Sequence, residues 1–164
     1  SFSGAGIHSF DLGASNRDKL KAMALQSNGK IVVGGFNETK DWGLARLNTD
    51  GSMDTSFGGG DGITITDFGG NGDKAFDLVI ESDGKIVMVG ESNAGASLDF
   101  AIARYTTAGA LDTSFSGDGK VLLDIEKTNG GGGDGYDDAA LAAAIAPNGN
   151  IIVCLLYTSD AADE

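Results

Sequence analysis

Arginine and aspartate recur at matching positions along the chain, and they are the residues best placed to do chemistry. Arg46 and Arg104 occupy the same place in two similar segments. Asp54 and Asp112 follow them, each eight residues later. Such a set could form a ring of ligand contacts, or it could form ion pairs that hold each turn in place. We favour the ion pairs and expect Arg104 to bind Asp99 or Asp112.

The other residue types that support catalysis do not combine into a site. His8 is the only histidine, and Thr64 and Leu122 take its place in the related segments, so we expect it to face solvent from a strand. No Ser-His-Asp arrangement and no Gly-x-Ser-x-Gly elbow is visible. Acidic residues are plentiful, but nothing singles out a pair for glycoside hydrolysis. No catalytic residue is assigned.

Glycine-rich stretches resemble ligand-binding loops without meeting their requirements. Residues 132–137, GGDGYD, fit the start of the calcium-binding nonapeptide, but that mechanism needs tandem copies. No Asp-x-Asp-x-Asp-Gly loop is present. Residues 58–62 and 130–135 lack both the helix and the Lys-Ser/Thr pair of a phosphate loop. No metal site, cofactor-binding residue or cofactor is therefore assigned.

The charge of the chain excludes two classes of partner. Among 164 residues the formal net charge is −13. An acidic surface repels nucleic-acid backbones and anionic membranes. No apolar run approaches the roughly 18 residues that a membrane helix needs. We therefore expect neither nucleic-acid binding nor membrane insertion.

A long repeat organises the chain. A Ser-Phe-Ser/Gly-Gly motif places Phe2, Phe57 and Phe115 at intervals of 55 and 58 residues. Periods of this length indicate one supersecondary unit per repeat, stacked on its neighbours. We expect these phenylalanines to pack between the units as core, together with Trp42 and Phe100, which also share a position.

The middle repeat predicts four short strands. Its apolar and polar residues alternate as in a half-buried strand, and Asp83-Gly84 is typical of a type I′ hairpin turn. Asn28-Gly29 and Asn148-Gly149 give the same signal in the other repeats. The predicted strands of the middle repeat are residues 62–68, 75–80, 85–90 and 99–105.

The third repeat needs its register to be interpreted. Residues 139–145 are alanine-rich and favour a helix by propensity alone. However, Asp18, Asp73 and Asp138 each lie eleven residues before a turn glycine, which aligns this run with the strands of the other repeats. We therefore predict a strand here.

Four antiparallel strands per repeat predict an all-β fold, an incomplete β-propeller made of four-stranded antiparallel blades. The alternative is a β-solenoid-like stack of hairpins, although Asn-Gly hairpins do not suit parallel coils. The strand before each hairpin turn should be innermost, because small residues suit packing near an axis. The predicted units are the outer strand of a preceding blade (1–12), two blades (20–68 and 74–125) and the start of a third (138–153).

Residues 154–164 depart from the repeat and resemble the conceptual translation of a sequencing-library adapter. We interpret them as a non-native tail. The remaining residues 1–153 then contain no cysteine, since Cys154 is the only one. Two blades and parts of two others cannot close a ring, so we expect a fragment with exposed blade faces that is prone to aggregate.

Residues 1–153 resemble the delta-sixty repeat family, bacterial propeller-like repeats of large secreted or surface proteins. The resemblance lies in Ser27–Gly35, Asp99–Tyr105 and Gly109–Phe115, in the order DGKIVVxG, ARY, GxLDTSFG. It implies an architecture and an extracellular or cell-surface location, and it brings no established activity.

Two functions follow as hypotheses. The first is a non-catalytic module, a scaffold or a platform that binds an unknown protein or glycan, next to the remaining blades of the full-length protein. The second is an enzyme resembling lactonase-like propellers, with a divalent metal in the central channel. Asp77 fits such a channel loosely, but Ala24 and Ala142 or Ala143 occupy the comparable stretches. We favour the module.

Overall fold

The computed structural model describes residues 4, 6–13, 17–70, 72–94, 97–124 and 137–157. All regular structure within these ranges is β, and the alanine-rich run forms a strand as predicted. The strands are β1 (Lys19–Leu25), β2 (Ile31–Phe36), β3 (Trp42–Leu47), β4 (Ile63–Thr66), β5 (Lys74–Ile80), β6 (Ile86–Ser92), β7 (Asp99–Tyr105), β8 (Lys120–Leu123), β9 (Asp138–Ile145) and β10 (Ile151–Tyr157).

The strands form two antiparallel four-stranded sheets and one hairpin. Blade 1 has the order β1-β2-β3-β4, blade 2 has the order β5-β6-β7-β8, and β9 pairs with β10 in the third hairpin. Strand β5 packs on both β1 and β9, so the first strand of each unit is the innermost. The predicted all-β, incomplete propeller of four-stranded blades is confirmed, and within the described residues the sheets do not close into a ring.

Each innermost strand carries a β-bulge at the same place. The register shifts at Lys21 in β1, at Phe76 in β5 and at Leu141 in β9. A bulge adds one residue and turns the side chains that follow it toward the other face. The side chains of β5 that pack on blade 1 are consequently spaced i, i+3, i+5, namely Ala75, Leu78 and Ile80.

Glycine on the neighbouring strand makes room for each bulge in the blades. A Cβ atom on Gly35 would lie 1.9 Å from the carbonyl oxygen of Lys19, and one on Gly90 would lie 2.0 Å from that of Lys74. Both distances are far inside van der Waals contact, so a side chain at either position must displace backbone. Leu155 takes this position in the third hairpin, where it pairs with Ala140.

The hairpin turns differ from the predicted type I′ geometry. Only the glycine of each turn has a positive φ, for example 81° at Gly29. The amide of Gly29 donates to Gln26 O (2.9 Å), and Asn28 Oδ1 accepts from the Lys30 amide (3.0 Å). This is a three-residue loop with a type I turn and a bulge glycine. The side-chain bond to the backbone two residues on favours it over type I′.

The core lies between the units. Phe57, Trp42 and Leu44 pack against blade 2 and are fully buried, and Phe100 is buried between blade 2 and the third hairpin. These positions confirm the predicted core role of Phe57, Trp42 and Phe100. Phe115 is only partly buried and belongs to none of these clusters, while Phe2 lies outside the described residues.

The two ends of the chain differ from the sequence expectation. Residues 7–12 form no strand, because no described strand lies beside them to complete a ladder. Leu12 nevertheless packs on β2 and β3, the two middle strands of blade 1, against Val33, Ala45 and Leu47. At the other end, β10 continues to Tyr157, into the segment interpreted as a non-native tail.

Candidate functional site

The recurring arginine of blade 1 sits at the centre of a buried polar network. Arg46 Nε donates to Asp54 Oδ2 (2.5 Å), and Nη2 donates to the Ser56 hydroxyl (3.3 Å). Lys30 Nζ donates to the same carboxylate oxygen (2.6 Å). The guanidinium also lies over the Phe57 ring, 4.4 Å from its centroid. These bonds tie the start of β2 and the end of β3 to the loop that follows.

Blade 2 repeats the network with equivalent residues. Arg104 Nε donates to Asp112 Oδ2 (2.9 Å), and Nη2 donates to Ser114 (3.1 Å). Lys85 takes the place of the first-blade lysine, 3.2 Å from Asp112. The expected Arg104 ion pair is therefore formed, and its partner is Asp112. Arg46 and Arg104 are therefore bound to aspartates of their own blades, and they do not form the ring of ligand contacts that their recurrence could also indicate.

The hydrogen bonds keep both carboxylates ionised. Burial opposes the charge of Asp54, but donors from Lys30, Ser56 and Arg46 hold its pKa well below the usual range. The Ser114 hydroxyl and amide, with Lys85 and Arg104, lower the pKa of Asp112 to about 2 against the effect of burial. A carboxylate with this pKa is a poor general base near neutral pH, so these groups do not suit acid–base catalysis.

The first network also joins the two blades. Arg46 Nη1 donates to the carbonyl of Thr107 (2.6 Å), and the Gly58 amide donates to that of Ala108 (3.0 Å). Phe57 packs beneath Gly109, where a Cβ atom would lie 2.7 Å from the ring. A groove of about 670 Å³ runs along this junction, lined by residues 55, 56, 58–60, 63–65 and 108–110. Hydroxyl groups of Thr55, Ser56 and Thr64 line it together with several glycines.

The recurring aspartate before each inner strand has an anchoring role. Asp73 is fully buried, and its two oxygens accept from the amides of Phe68 (2.9 Å) and Asn93 (3.2 Å). Asp18 accepts from the Leu12 amide (2.6 Å) in the same way. The carboxylates therefore hold the chain where it passes from one blade to the next, a role that satisfies buried amides.

One group of acids has a spacing that a metal ion could use. Oxygens of Asp41, Asp67 and Asp73 lie within 4.8 Å of one another, at the edge of the sheet that carries the β2–β3 loop. Asp73 is committed to two amides, and Asp41 Oδ2 accepts from the Thr39 hydroxyl (2.7 Å). Asp73 directly precedes the inner strand β5, whereas Asp41 ends the β2–β3 loop and Asp67 follows β4, the strand of blade 1 farthest from its inner strand.

The channel residue of that hypothesis, Asp77, is also engaged. It lies in β5 just after the bulge, and its Oδ2 accepts from the Ala143 amide of β9 (2.9 Å). Its Oδ1 accepts from the Leu78 amide (2.9 Å). Asp77 thus joins two neighbouring inner strands, and the equivalent positions in β1 and β9 are Ala22 and Ala142.

The remaining sequence candidates do not join a site. His8 lies outside any strand and is partly buried, its ring 6.0 Å from that of Phe10, which corrects the expectation that it faces solvent from a strand. The glycine-rich residues 132–136 lie outside the described residues. In the described part of the chain, no helix is long and apolar enough to span a membrane.

Two segments of the chain match a family model described as "Domain of unknown function (DUF5122) beta-propeller". They are residues 26–57 and 81–115. Each segment begins at the hairpin turn that follows the inner strand. The first segment ends at Phe57, and the second ends at the equivalent Phe115. The fold is that of a β-propeller.

The crystal structure of virginiamycin B lyase from Staphylococcus aureus is similar in fold, with a TM-score of 0.48 and 17% sequence identity. The similarity covers 86% of this chain and 38% of the lyase chain, so this chain spans well under half the length of that enzyme. A sequence comparison with curated proteins found no match.

The sequence reasoning missed the bulges and the bonds between blades. The spacing of apolar residues does not indicate the bulges, because Phe76 and Val79 are also apolar in β5 and every residue from 139 to 145 is apolar in β9. No local pattern could have shown that Arg46 reaches Thr107, which lies sixty-one residues further on.

Proposed function

We propose that the chain is a non-catalytic repeat module of a larger bacterial secreted or surface protein, of the delta-sixty type, that acts as a scaffold or as a binding platform for a protein or a glycan. One observation carries this proposal: the polar residues that recur between repeats are bonded to the fold itself. Arg46, Arg104, Asp54, Asp112 and Asp73 all have partners within the chain. The charged residues shared by the two blades therefore stabilise the fold, and we assign binding to exposed residues outside these ion pairs.

The groove between the two blades is the proposed contact surface. Thr55 is exposed at its rim, and the hydroxyl of Thr64 is occupied by Gly109 O (2.9 Å). The groove lies where a loop of blade 1 meets a hairpin of blade 2, so its shape depends on two neighbouring repeats. Loops held on a rigid β scaffold are common places for recognition.

The experiment compares two matched variants in the full-length parent protein. Thr55→Tyr fills the groove, whereas Thr113→Tyr changes the equivalent exposed residue of blade 2, which lines no part of it. Binding would be measured on a glycan array and against candidate protein ligands by interferometry. We expect Thr55→Tyr to weaken binding at least tenfold and Thr113→Tyr to leave it unchanged.

The competing hypothesis of a metal-dependent lactonase or esterase is tested on the same protein. Metal content and turnover of lactone and ester substrates would be measured after exhaustive dialysis. Stoichiometric metal together with turnover would overturn the module proposal. Equal binding by both tyrosine variants and the wild type would instead exclude the groove as the contact surface.

A further inference from the structure

A second cavity lies between blades 1 and 2, on the side of the molecule that carries their hairpin turns. Its volume is about 280 Å³, close to the lower end of the range for small-molecule sites. It is lined by residues 26–28, 46, 80–82, 84 and 107, all of them from the two four-stranded blades. We call it the junction cavity. Its walls are complete within these two blades and do not depend on any other repeat.

Two acceptor atoms at the junction cavity have no donor. Gln26 is only 8% exposed, and its Oε1 is buried without a hydrogen-bond partner in the described part of the chain. Glu81 Oε2 is in the same position. A buried acceptor without a donor destabilises a fold, and native proteins pair nearly all such atoms. Two of them at one cavity indicate that a donor comes from outside the chain.

The fold itself does not require these acceptors. Gln26 and Glu81 occupy equivalent places, because each begins the hairpin turn that follows the inner strand of its blade. The equivalent residue of the third hairpin is Ala146, which has no polar side-chain atom, although its turn makes the same backbone bonds. The amide and the carboxylate are therefore a property of this one junction.

The charged groups around the cavity favour a neutral ligand. Each of the three guanidinium nitrogens of Arg46 already donates within the fold, to Asp54, to Thr107 O and to Ser56. The guanidinium is thus committed to the fold and is poorly placed to hold an anion, while its charge repels a bound cation. The carboxylate of Glu81 lies near a second guanidinium, with Oε1 3.9 Å from Arg104 Nη1.

We propose that the junction cavity binds one neutral sugar ring of a glycan. Hydroxyl groups on adjacent ring carbons supply the donors that Gln26 Oε1 and Glu81 Oε2 lack. Ile80 provides an apolar wall for the C–H face of the ring, and the exposed hydroxyls of Ser27 and Ser82 lie at the mouth of the cavity. The inference rests on the proposed function, because it names the glycan chemistry that the module recognises and adds a site to the groove.

The experiment measures the binding of methyl glycosides of glucose, galactose, mannose and N-acetylglucosamine to the full-length parent protein. Saturation-transfer NMR detects binding at ligand concentrations up to about 10 mM. Galacturonate and glucosamine are the anionic and cationic probes. Gln26→Met removes one unpaired acceptor at nearly constant side-chain length, and Glu81→Gln keeps an acceptor but removes the charge. Asn150→Met is the matched control, since Asn150 is exposed in the third hairpin and lines no part of the cavity.

We expect at least one neutral glycoside to bind, and Gln26→Met to weaken its binding at least tenfold. Asn150→Met should leave the affinity unchanged, and Glu81→Gln should keep it within about threefold. The urea midpoint of Gln26→Met should not fall, because the substitution removes an acceptor that has no donor in the fold. An amide with a purely structural role would give the opposite pattern, a loss of stability without a loss of affinity.

Three results would overturn the proposal. The first is a lack of binding by every neutral glycoside, which would leave the two acceptors to ordered water. The second is an affinity that Gln26→Met does not change, and the third is tighter binding of galacturonate or glucosamine than of any neutral sugar. Thr55→Tyr separates the cavity from the groove, since it should leave glycoside binding unchanged. Failure of the module proposal has a different signature, namely metal-dependent turnover.

Discussion

Arg46 and Arg104 are a natural matched pair for testing the ion-pair network. Both bind an aspartate through Nε, but only Arg46 also donates to the neighbouring blade, at Thr107 O (2.6 Å). The side chain of Arg46 is 8% exposed and that of Arg104 is 18% exposed. We therefore predict that Arg46→Met destabilises the fold more than Arg104→Met.

The magnitudes follow from what each substitution leaves behind. Breaking a buried ion pair on one side costs about 3–5 kcal/mol. In Arg46→Met, Asp54 would keep Lys30 as a partner at 2.6 Å, while the carbonyl of Thr107 would lose its donor. We therefore expect a loss of stability near the lower end of this range, about 3 kcal/mol. The Arg104 pair is nearer solvent and spans no blade junction within the described residues, so about 1 kcal/mol is expected.

The assay is urea unfolding at pH 7, at a protein concentration where the midpoint does not depend on concentration. Arg17→Met is the control, because Arg17 is 82% exposed and 3.7 Å from Glu38, and it should change stability by under about 0.5 kcal/mol. Equal losses for the two network variants would refute the role of the blade junction. A loss below about 1 kcal/mol for Arg46→Met would refute the network as a stabilising element.

Three further predictions concern acid, the buried tyrosine and the bulge glycines. The pKa of Asp112 falls from 3.8 to about 2 on folding. Its contribution to the free energy of unfolding is therefore present above about pH 4 and is lost as the pH falls toward 2. A series of urea midpoints that shows no loss of stability over this pH range would contradict the prediction. Tyr105→Phe removes the hydroxyl that donates to Thr66 (2.8 Å) and should destabilise the fold by about 1–2 kcal/mol. Adding Thr66→Val should recover part of this loss, because no buried hydroxyl is then left without a partner. A double variant no more stable than Tyr105→Phe would count against the hydrogen bond. Gly90→Ala should destabilise the fold by about 3 kcal/mol or more in thermal melts, because its Cβ would lie 2.0 Å from a backbone carbonyl oxygen. Gly13→Ala is the control and should be nearly neutral, since the nearest atom to its Cβ would lie at 3.5 Å. Equal melting temperatures for the two variants would show that the bulge relaxes easily.

The strand pattern was predictable because the repeat supplies three readings of one unit. The alanine-rich run illustrates this, since propensity favours a helix and only its alignment with Ala75–Ile80 identifies it as β9. For the same reason, the sequence limits the ion-pair partner of Arg104 to two aspartates, because a cation and an anion that recur together at a fixed spacing are usually partners. The structure then selects Asp112.

The turn type and the contacts between blades depend on effects that spacing alone does not encode. Asn28 was expected at positive φ, yet its side chain accepts the Lys30 amide and only Gly29 adopts the left-handed conformation. The strand pattern predicts that His8 faces solvent, but within the described residues no strand pairs with residues 7–12. Both differences arise because the local sequence pattern does not show the hydrogen-bonding partner that decides the conformation.

Equivalent residues in the two blades show how the neighbouring unit changes a side chain. Phe57 is fully buried beneath Gly109, while Phe115, its counterpart, is only partly buried although Arg104 lies over its ring as Arg46 lies over that of Phe57. The sequence motif is the same, so the difference comes from the hairpin that the first ring packs against. A further hairpin over Phe115 would complete the second network as Thr107 and Gly109 complete the first. The recurring Arg-Asp-Phe set is therefore best understood as one half of a blade junction, whose other half is the turn of the next repeat.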